Sequence, residues 1–144
     1  MAEFARYRDE AEIEEVVRRF ENCEYTPEEF VHARHLTVAA WYFLHEEKEL
    51  AKGRMRQGLK KFIAHHGKMG YHVTITEFWL QQVERELEVG DAAGGAAERI
   101  NRIVAQLNDK DRIYEFYSRE RIESPEAKAA YLPTDHSPSG AKAR

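Results

Sequence analysis

The chain has 144 residues, of which 42% are hydrophobic and 33% charged, and this balance is typical of one folded domain rather than of a disordered segment. Its formal net charge of −4 gives no general attraction to nucleic acids or to anionic membranes, so neither is expected as a partner. A single cysteine, Cys23, excludes an internal disulfide, and the lack of both a signal-peptide pattern and a run of about 18 apolar residues favours a cytoplasmic location.

The spacing of apolar residues predicts helices along most of the chain. No proline occurs between positions 27 and 125, and clean two-residue alternation is missing, so strands are not expected. Apolar residues recur instead every three or four positions, which is the period of a helix with one buried face. The predicted helices cover about residues 9–22, 26–45, 48–65, 71–89 and 97–107, followed by a short aromatic segment at 113–117 and a last helical turn that starts at Ser124.

The second predicted helix has the strongest start signal. Thr26 can cap it, Pro27 suits the first helical position, and Glu29 completes a capping box three residues after the cap. From residue 36 to residue 44 this helix is apolar almost all round. We therefore expect it to be the central, buried helix.

The third predicted helix has an apolar face and a basic face, and it ends in a glycine-containing break. Gly67 and Gly70 are the candidates for left-handed backbone in this break. The apolar face consists of Leu50, Met55, Leu59, Phe62 and Ile63. The basic face follows a group of acids and is interpreted as solvated; it consists of Lys52, Arg54, Arg56, Lys60 and Lys61.

These elements predict an all-α fold. We expect a single-domain helical bundle of four main helices plus shorter C-terminal helices, formed by residues 1–132. From Pro133 onward, serine, proline, glycine and other small residues dominate. Residues 133–144 are therefore predicted to be a disordered C-terminal tail.

Five of the seven histidines fall in two regions of the chain. His32 and His35 are three residues apart, so they share one face of the second predicted helix, and Glu28 precedes His32 by one turn. The other three, His65, His66 and His72, surround the junction of the third and fourth helices. If the helix connections are short, both regions lie at the same end of the bundle.

One interpretation of this convergence is a metal site. Imidazoles and carboxylates on facing helices suit Zn, Fe, Mn or Ni. The spacing is neither the Glu-x-x-His of diiron bundles nor the His-Glu-x-x-His of zinc proteases, so the motif does not select a metal. The candidate ligands are His32, His35, His72, His66 and Glu28.

Two interpretations without a metal stay open. In the first, the site binds a small molecule or performs acid–base catalysis, with His35 or His72 as the base and Tyr71 and Thr76 in support. In the second, the chain is a non-catalytic structural or interaction module, with a homodimer through an aromatic helix face as one form, and the histidines are satisfied structurally. The sequence does not decide whether the chain is an enzyme.

Three segments carry a resemblance: residues 32–36 (HARHL), 66–67 (HG) and 71–76 (YHVTIT). The chain resembles a group of small bacterial helical proteins of uncharacterised function that share His-x-x-His-Leu, His-Gly and Tyr-His-x-Thr-x-Thr segments, over about residues 15–132. In that group a glutamate often follows the histidine of the last segment, where this chain has Val73. The resemblance implies no activity, but it selects the positions to test: His32, His35, His66, Tyr71, His72, Thr74 and Thr76.

Overall fold

The computed structural model describes residues 6–67 and 70–136, and over these ranges the chain is all helical, without strands, as predicted. Five helices of 12 to 18 residues and three shorter ones are described, so the bundle contains one more long helix than the expected four. None of these helices combines the length and the apolar character that crossing a membrane requires. In chain order they are α1 (Glu10–Glu21), α2 (His32–His45), α3 (Lys48–His65), α4 (Val73–Val89), α5 (Ala96–Leu107), a 3₁₀ helix (Lys110–Glu115), α6 (Arg119–Ile122) and α7 (Pro125–Ala129).

Helix α2 lies at the centre of the bundle, as its apolar sequence predicts. It packs against α1, α3, α4 and α5. The five consecutive residues from Leu36 to Ala40 are all buried. Because successive residues point about 100° apart around a helix, five in a row cover its whole circumference. Helix α2 is therefore enclosed on every side.

The polar groups in this core are hydrogen-bonded. Thr37 Oγ1 donates to the Ala33 carbonyl (2.8 Å) and also lies 2.9 Å from the Tyr7 hydroxyl. The side-chain amide of Asn101 pairs with the Tyr7 backbone in both directions, each bond measuring 2.9 Å. These bonds offset the cost of burying the hydroxyl and amide groups. They also attach Tyr7, which precedes α1, to both α2 and α5.

The capping box at Thr26 forms, but it closes a single turn instead of starting α2. Thr26 N–H donates to Glu29 Oε1 (2.9 Å), and Glu29 N–H donates to Thr26 Oγ1 (3.1 Å). The Phe30 ring then enters the core and stacks on Phe20, with centroids 4.7 Å apart. Burying a phenylalanine side chain stabilises the fold by about 2–3 kcal/mol. A helix cap contributes about 1 kcal/mol. The predicted start at Thr26 is therefore wrong, and α2 begins at His32.

The two faces of α3 are close to the prediction. Its bounds match, and Met55, Leu59 and Phe62 are buried, but Leu50 is 61% exposed and Ala51 takes the core position. Three of the five residues of the basic face, Lys52, Arg54 and Arg56, are paired with acids on other helices. Arg56, for example, donates to both carboxylate oxygens of Glu77 at 2.7 and 2.8 Å.

The glycines in the connections before and after α4 differ in backbone conformation. Gly67 has φ of +67°, as predicted, whereas Gly70 is not among the residues with positive φ. Gly94, between α4 and α5, adopts φ of +87°. Residues 68 and 69, inside the predicted break, lie outside the described part of the chain.

Residues 130–136, called here the 130–136 segment, are held against α4 by a buried threonine. Thr74 Oγ1 donates to the Ala130 carbonyl (2.9 Å) and accepts from Leu132 N–H (3.1 Å). The Tyr117 hydroxyl donates to the Leu132 carbonyl at 2.7 Å. Thr74, which belongs to the Tyr-His-x-Thr-x-Thr pattern, therefore has a structural role.

The predicted disordered tail begins with ordered residues. The N–H groups of Asp135 and His136 donate to the Phe116 carbonyl at 3.1 and 2.9 Å, and Arg121 Nε donates to the Pro133 carbonyl at 2.8 Å. The prediction of disorder does not fit residues 133–136, because their backbone groups are hydrogen-bonded to Phe116, which follows the 3₁₀ helix, and to Arg121 in α6. The rest of the predicted tail, residues 137–144, lies outside the described residues.

Two glycines of α3 give a matched test of how closely α1 and α3 pack. A Cβ at Gly58 would lie 2.7 Å from Phe20 Cε2, and this ring is held by Phe30 and Phe62, whereas a Cβ at Gly53 meets nothing within 4 Å. Gly53→Ala should raise the free energy of unfolding by up to about 1 kcal/mol through helix propensity. Gly58→Ala should lower it by about 1–3 kcal/mol through overpacking. Urea denaturation measures both, and equal stabilisation by the two substitutions would contradict the close approach.

Candidate functional site

A cavity of about 210 Å³ lies between α2, α3 and α4. Most of its wall is apolar, formed by Leu36, Ala39, Met55, Leu59, Ile63, Ile75, Trp79, Leu80 and Val83. The polar side chains in the wall are His32, His35, Tyr71, His72 and Thr76. Residues from the predicted site therefore meet at one cavity, although α2 and α4 are far apart in sequence.

His32 and His35 form the α2 side of this cavity. His32 Nε2 lies 3.3 Å from the Leu107 carbonyl oxygen, which can only accept, so this nitrogen carries the hydrogen. The His32 ring meets Trp79 edge to face, with centroids 4.3 Å apart. The His35 ring stacks on Phe30, with centroids 4.1 Å apart.

Both imidazoles are neutral at pH 7 for a physical reason. The pKa of His35 is lowered to about 4: burial is the largest cause, the nearby His32 adds to it, and a hydrogen bond to the Phe30 backbone partly opposes both. Burial also lowers the pKa of His32, against the hydrogen bond to Leu107. The two side chains therefore offer hydrogen-bonding nitrogens without charge.

His72 lies in the same wall, but both of its ring nitrogens are engaged by the fold. It is the N-cap of α4, and its Nδ1 accepts from Ile75 N–H at 3.1 Å. Its Nε2 donates to the Ile122 carbonyl at 2.8 Å. A base or a metal ligand needs a free lone pair, and that of Nδ1 is already used. His72 therefore has a structural role in this conformation, and the predicted catalytic and metal-binding roles would require at least one of these two bonds to break.

Tyr71 and Thr76 interact with each other at the cavity wall. Burial raises the pKa of Tyr71, and a hydrogen bond from Thr76 partly offsets this. The Lys60 ammonium lies 5.1 Å from the centre of the Tyr71 ring. The Tyr71 hydroxyl thus stays protonated at neutral pH and is oriented by a neighbour.

Glu28 and His66, the other candidate ligands, lie away from the cavity wall. Glu28 is exposed, because the turn at Thr26 does not continue into α2 and the residue does not share a helix face with His32. The His66 ring packs on Phe62 and His65, with centroids 4.6 and 5.0 Å apart. Among the described residues, no group of three or more His, Cys, Asp or Glu side chains is arranged to hold a metal ion.

The apolar wall is the part of the site that sequence reasoning missed. Ile75, Trp79 and Val83 are spaced by one helical turn, and such an apolar stripe ordinarily predicts a face packed in the core. In the structure the same stripe lines the cavity. No sequence signal separates the two cases, because both require one apolar helix face.

Comparisons with protein-family models, with curated proteins and with solved structures give no significant match to this chain. The function must therefore be argued from the cavity itself.

Replacing His72 tests its structural role. His72→Ala removes the cap of α4 and leaves the Ile122 carbonyl without its donor, which should lower the free energy of unfolding by about 1–3 kcal/mol. His72→Asn keeps an oxygen that can accept from Ile75 N–H and should recover part of the loss. Urea denaturation measures both variants. A His72→Ala variant as stable as wild type would show that the two imidazole bonds do not contribute.

The pKa of His35 predicts a stability change in weak acid. Above about pH 6.5 the residue is neutral in both folded and unfolded chains and has no effect. As the pH falls from about 6.5 to about 4, only the unfolded chain takes up the proton, so the wild type should lose up to roughly 3 kcal/mol relative to His35→Phe. Denaturation at several pH values gives this difference, with His45→Phe as an exposed control on the same helix. A pH dependence that is equal in wild type and His35→Phe would contradict the buried, neutral state.

Proposed function

We propose that the protein binds a small, largely apolar molecule in the cavity between α2, α3 and α4. The observation that carries this proposal is an apolar cavity with a few polar groups in its wall, which is the usual composition of a ligand pocket. An empty apolar cavity of about 150 Å³ is large enough for benzene. The volume of about 210 Å³ in this protein therefore suits a single substituted ring or a short branched chain.

The location of the cavity supports a binding role. Ligand sites in helical proteins often lie between the helices of a bundle. Three long helices form the walls, and α2 is fixed on all sides by its neighbours. Such walls keep a pocket open without a ligand, so binding loses little free energy to reorganisation.

Binding is better supported than acid–base catalysis. A general base works best when its pKa lies near the working pH, whereas the pKa of His35 is about 4. His72 has no free lone pair, and the pKa of Tyr71 is raised. The polar groups thus suit recognition more than proton transfer at neutral pH.

Binding is also better supported than a transition-metal site for Zn, Fe, Mn or Ni. A zinc site uses at least three protein ligands. His32 and His35 offer two imidazoles at the cavity, while His72 is engaged by the backbone and Glu28 is exposed. A third donor would require rearrangement of α4 or of the turn before α2.

A homodimer through aromatic residues has less support than a ligand pocket. Trp41 and Phe43 pack against the core. Among the described residues, the large hydrophobic side chains that are exposed are Val31, Leu50, Val89 and Tyr131, on separate elements of the fold. No continuous apolar patch follows from this set.

The proposal is tested by tryptophan fluorescence. Trp79 lines the cavity, and Trp41 is the second of the two tryptophans, so a Trp41→Phe background isolates the signal of Trp79. Toluene, para-xylene, para-cresol and indole are the probes. We expect saturable changes in Trp79 emission, and a rise in the thermal midpoint because the ligand binds only the folded state.

A cavity-filling variant is the control. Ala39→Leu adds three carbons to the wall and should weaken binding of every probe by tenfold or more, on the order of 1.4 kcal/mol. Circular dichroism verifies that the variant is folded. Absence of saturable binding by all four probes, or equal binding to Ala39→Leu, would reject the proposed function.

A further inference from the structure

The polar groups of the cavity also indicate which kind of molecule it takes. We infer that the ligand is an uncharged aromatic compound with one hydroxyl or N–H group, and that this group donates a hydrogen bond to a free imidazole nitrogen of His35 or His32. The inference rests on the proposed ligand-binding function and adds the chemical class of the ligand.

The first step is the hydrogen-bonding state of His32. A neutral imidazole has one N–H donor and one acceptor nitrogen. The Leu107 carbonyl takes the Nε2 hydrogen, at 3.3 Å, so Nδ1 is the acceptor. The hydrogen bond that His32 makes within the described residues uses Nε2, and Nδ1 is not fully buried. Nδ1 therefore keeps an accessible lone pair on a side chain that lines the cavity.

His35 has the same arrangement one helical turn further along α2. Its ring stacks on Phe30, with centroids 4.1 Å apart. Because this imidazole is neutral at pH 7, one ring nitrogen carries the hydrogen and the other is an acceptor. Two acceptors thus lie on one face of α2, at the wall of the same cavity.

The other polar groups of the wall leave a single donor. His72 uses both ring nitrogens for the backbone, and the Thr76 hydroxyl donates to Tyr71, so among the described wall residues the Tyr71 O–H is the donor that faces two imidazole acceptors. The cavity therefore presents acceptors in excess of donors. A ligand that carries a donor would satisfy them, whereas an ether or a carbonyl compound would not.

The wall also selects against charged ligands. No Asp, Glu, Lys or Arg side chain is among the described residues that line it. An ion would therefore lose its hydration without gaining a counter-charge. Trp79 and Tyr71 add aromatic surface, and edge-to-face or offset contacts with a ligand ring are favourable. A phenol or an N–H heteroaromatic compound combines these features.

The test compares two probes of nearly the same shape. Para-cresol has a hydroxyl group where para-xylene has a methyl group, so para-cresol binds more tightly only if a hydrogen bond in the cavity outweighs the hydration that the hydroxyl loses. We expect para-cresol to bind about tenfold or more tightly than para-xylene, by Trp79 fluorescence in the Trp41→Phe background. Indole and 1-methylindole form a second pair with the same expected order.

Histidine variants assign the acceptor. His35→Phe keeps an aromatic ring against Phe30 but removes the nitrogens, and His32→Phe does the same beside Trp79. Loss of the preference for para-cresol in either variant, with para-xylene binding retained, supports the inference. A preference that survives in both single variants and in the double variant would overturn it.

The two proposals fail in different ways. If para-xylene binds wild type as tightly as para-cresol, the cavity is a ligand site but the inferred donor chemistry is wrong. If toluene, para-xylene, para-cresol and indole all fail to bind, the proposed function itself is rejected. The wild-type comparison decides the inference even if a histidine variant does not fold.

Discussion

The enclosure of α2 by four other helices is the constraint on which the cavity depends. A helix buried all round must present small or apolar side chains in every direction, and the sequence from Leu36 to Ala40 does so. The same requirement places Ala39, a small side chain, where α2 faces α3 and α4. The space beside it is the cavity, and the histidines one and two turns earlier on α2 contribute its polar wall.

Burial also decides the chemistry that these histidines can perform. His32 and His72 each donate the Nε2 hydrogen to a backbone carbonyl, and the third imidazole of the wall, His35, stacks on Phe30. They differ in the second nitrogen. In His72 it accepts from the first turn of α4, whereas in the proposed binding mode the second nitrogen of His32 or His35 accepts from the ligand. In this proposal, His72 has a structural role, whereas His32 and His35 contribute to ligand recognition.

The fold could be predicted from sequence further than the site. Apolar periodicity gives the helix positions and the central place of α2, because both follow from local patterns. The start of α2 could not be predicted, since the capping signal at Thr26 carries no information about the distant core that takes Phe30. The spacing of His32 and His35 correctly indicates a shared face. The role of His72 depends on the carbonyl of Ile122, fifty residues away, which no local pattern reveals.

The attachment of the 130–136 segment has a consequence for how the chain folds during synthesis. Thr74 bonds to residues 56 and 58 positions later, so α4 leaves the ribosome long before its partners exist. Until then, the Thr74 hydroxyl and the face of α4 that carries Phe78 are exposed to water, although both are buried in the folded protein. Helices α1, α2 and α3 can dock earlier, because their contacts are closer in sequence. The nascent protein should therefore pass through a stage in which the cavity walls are assembled while one face of α4 is still open to chaperones.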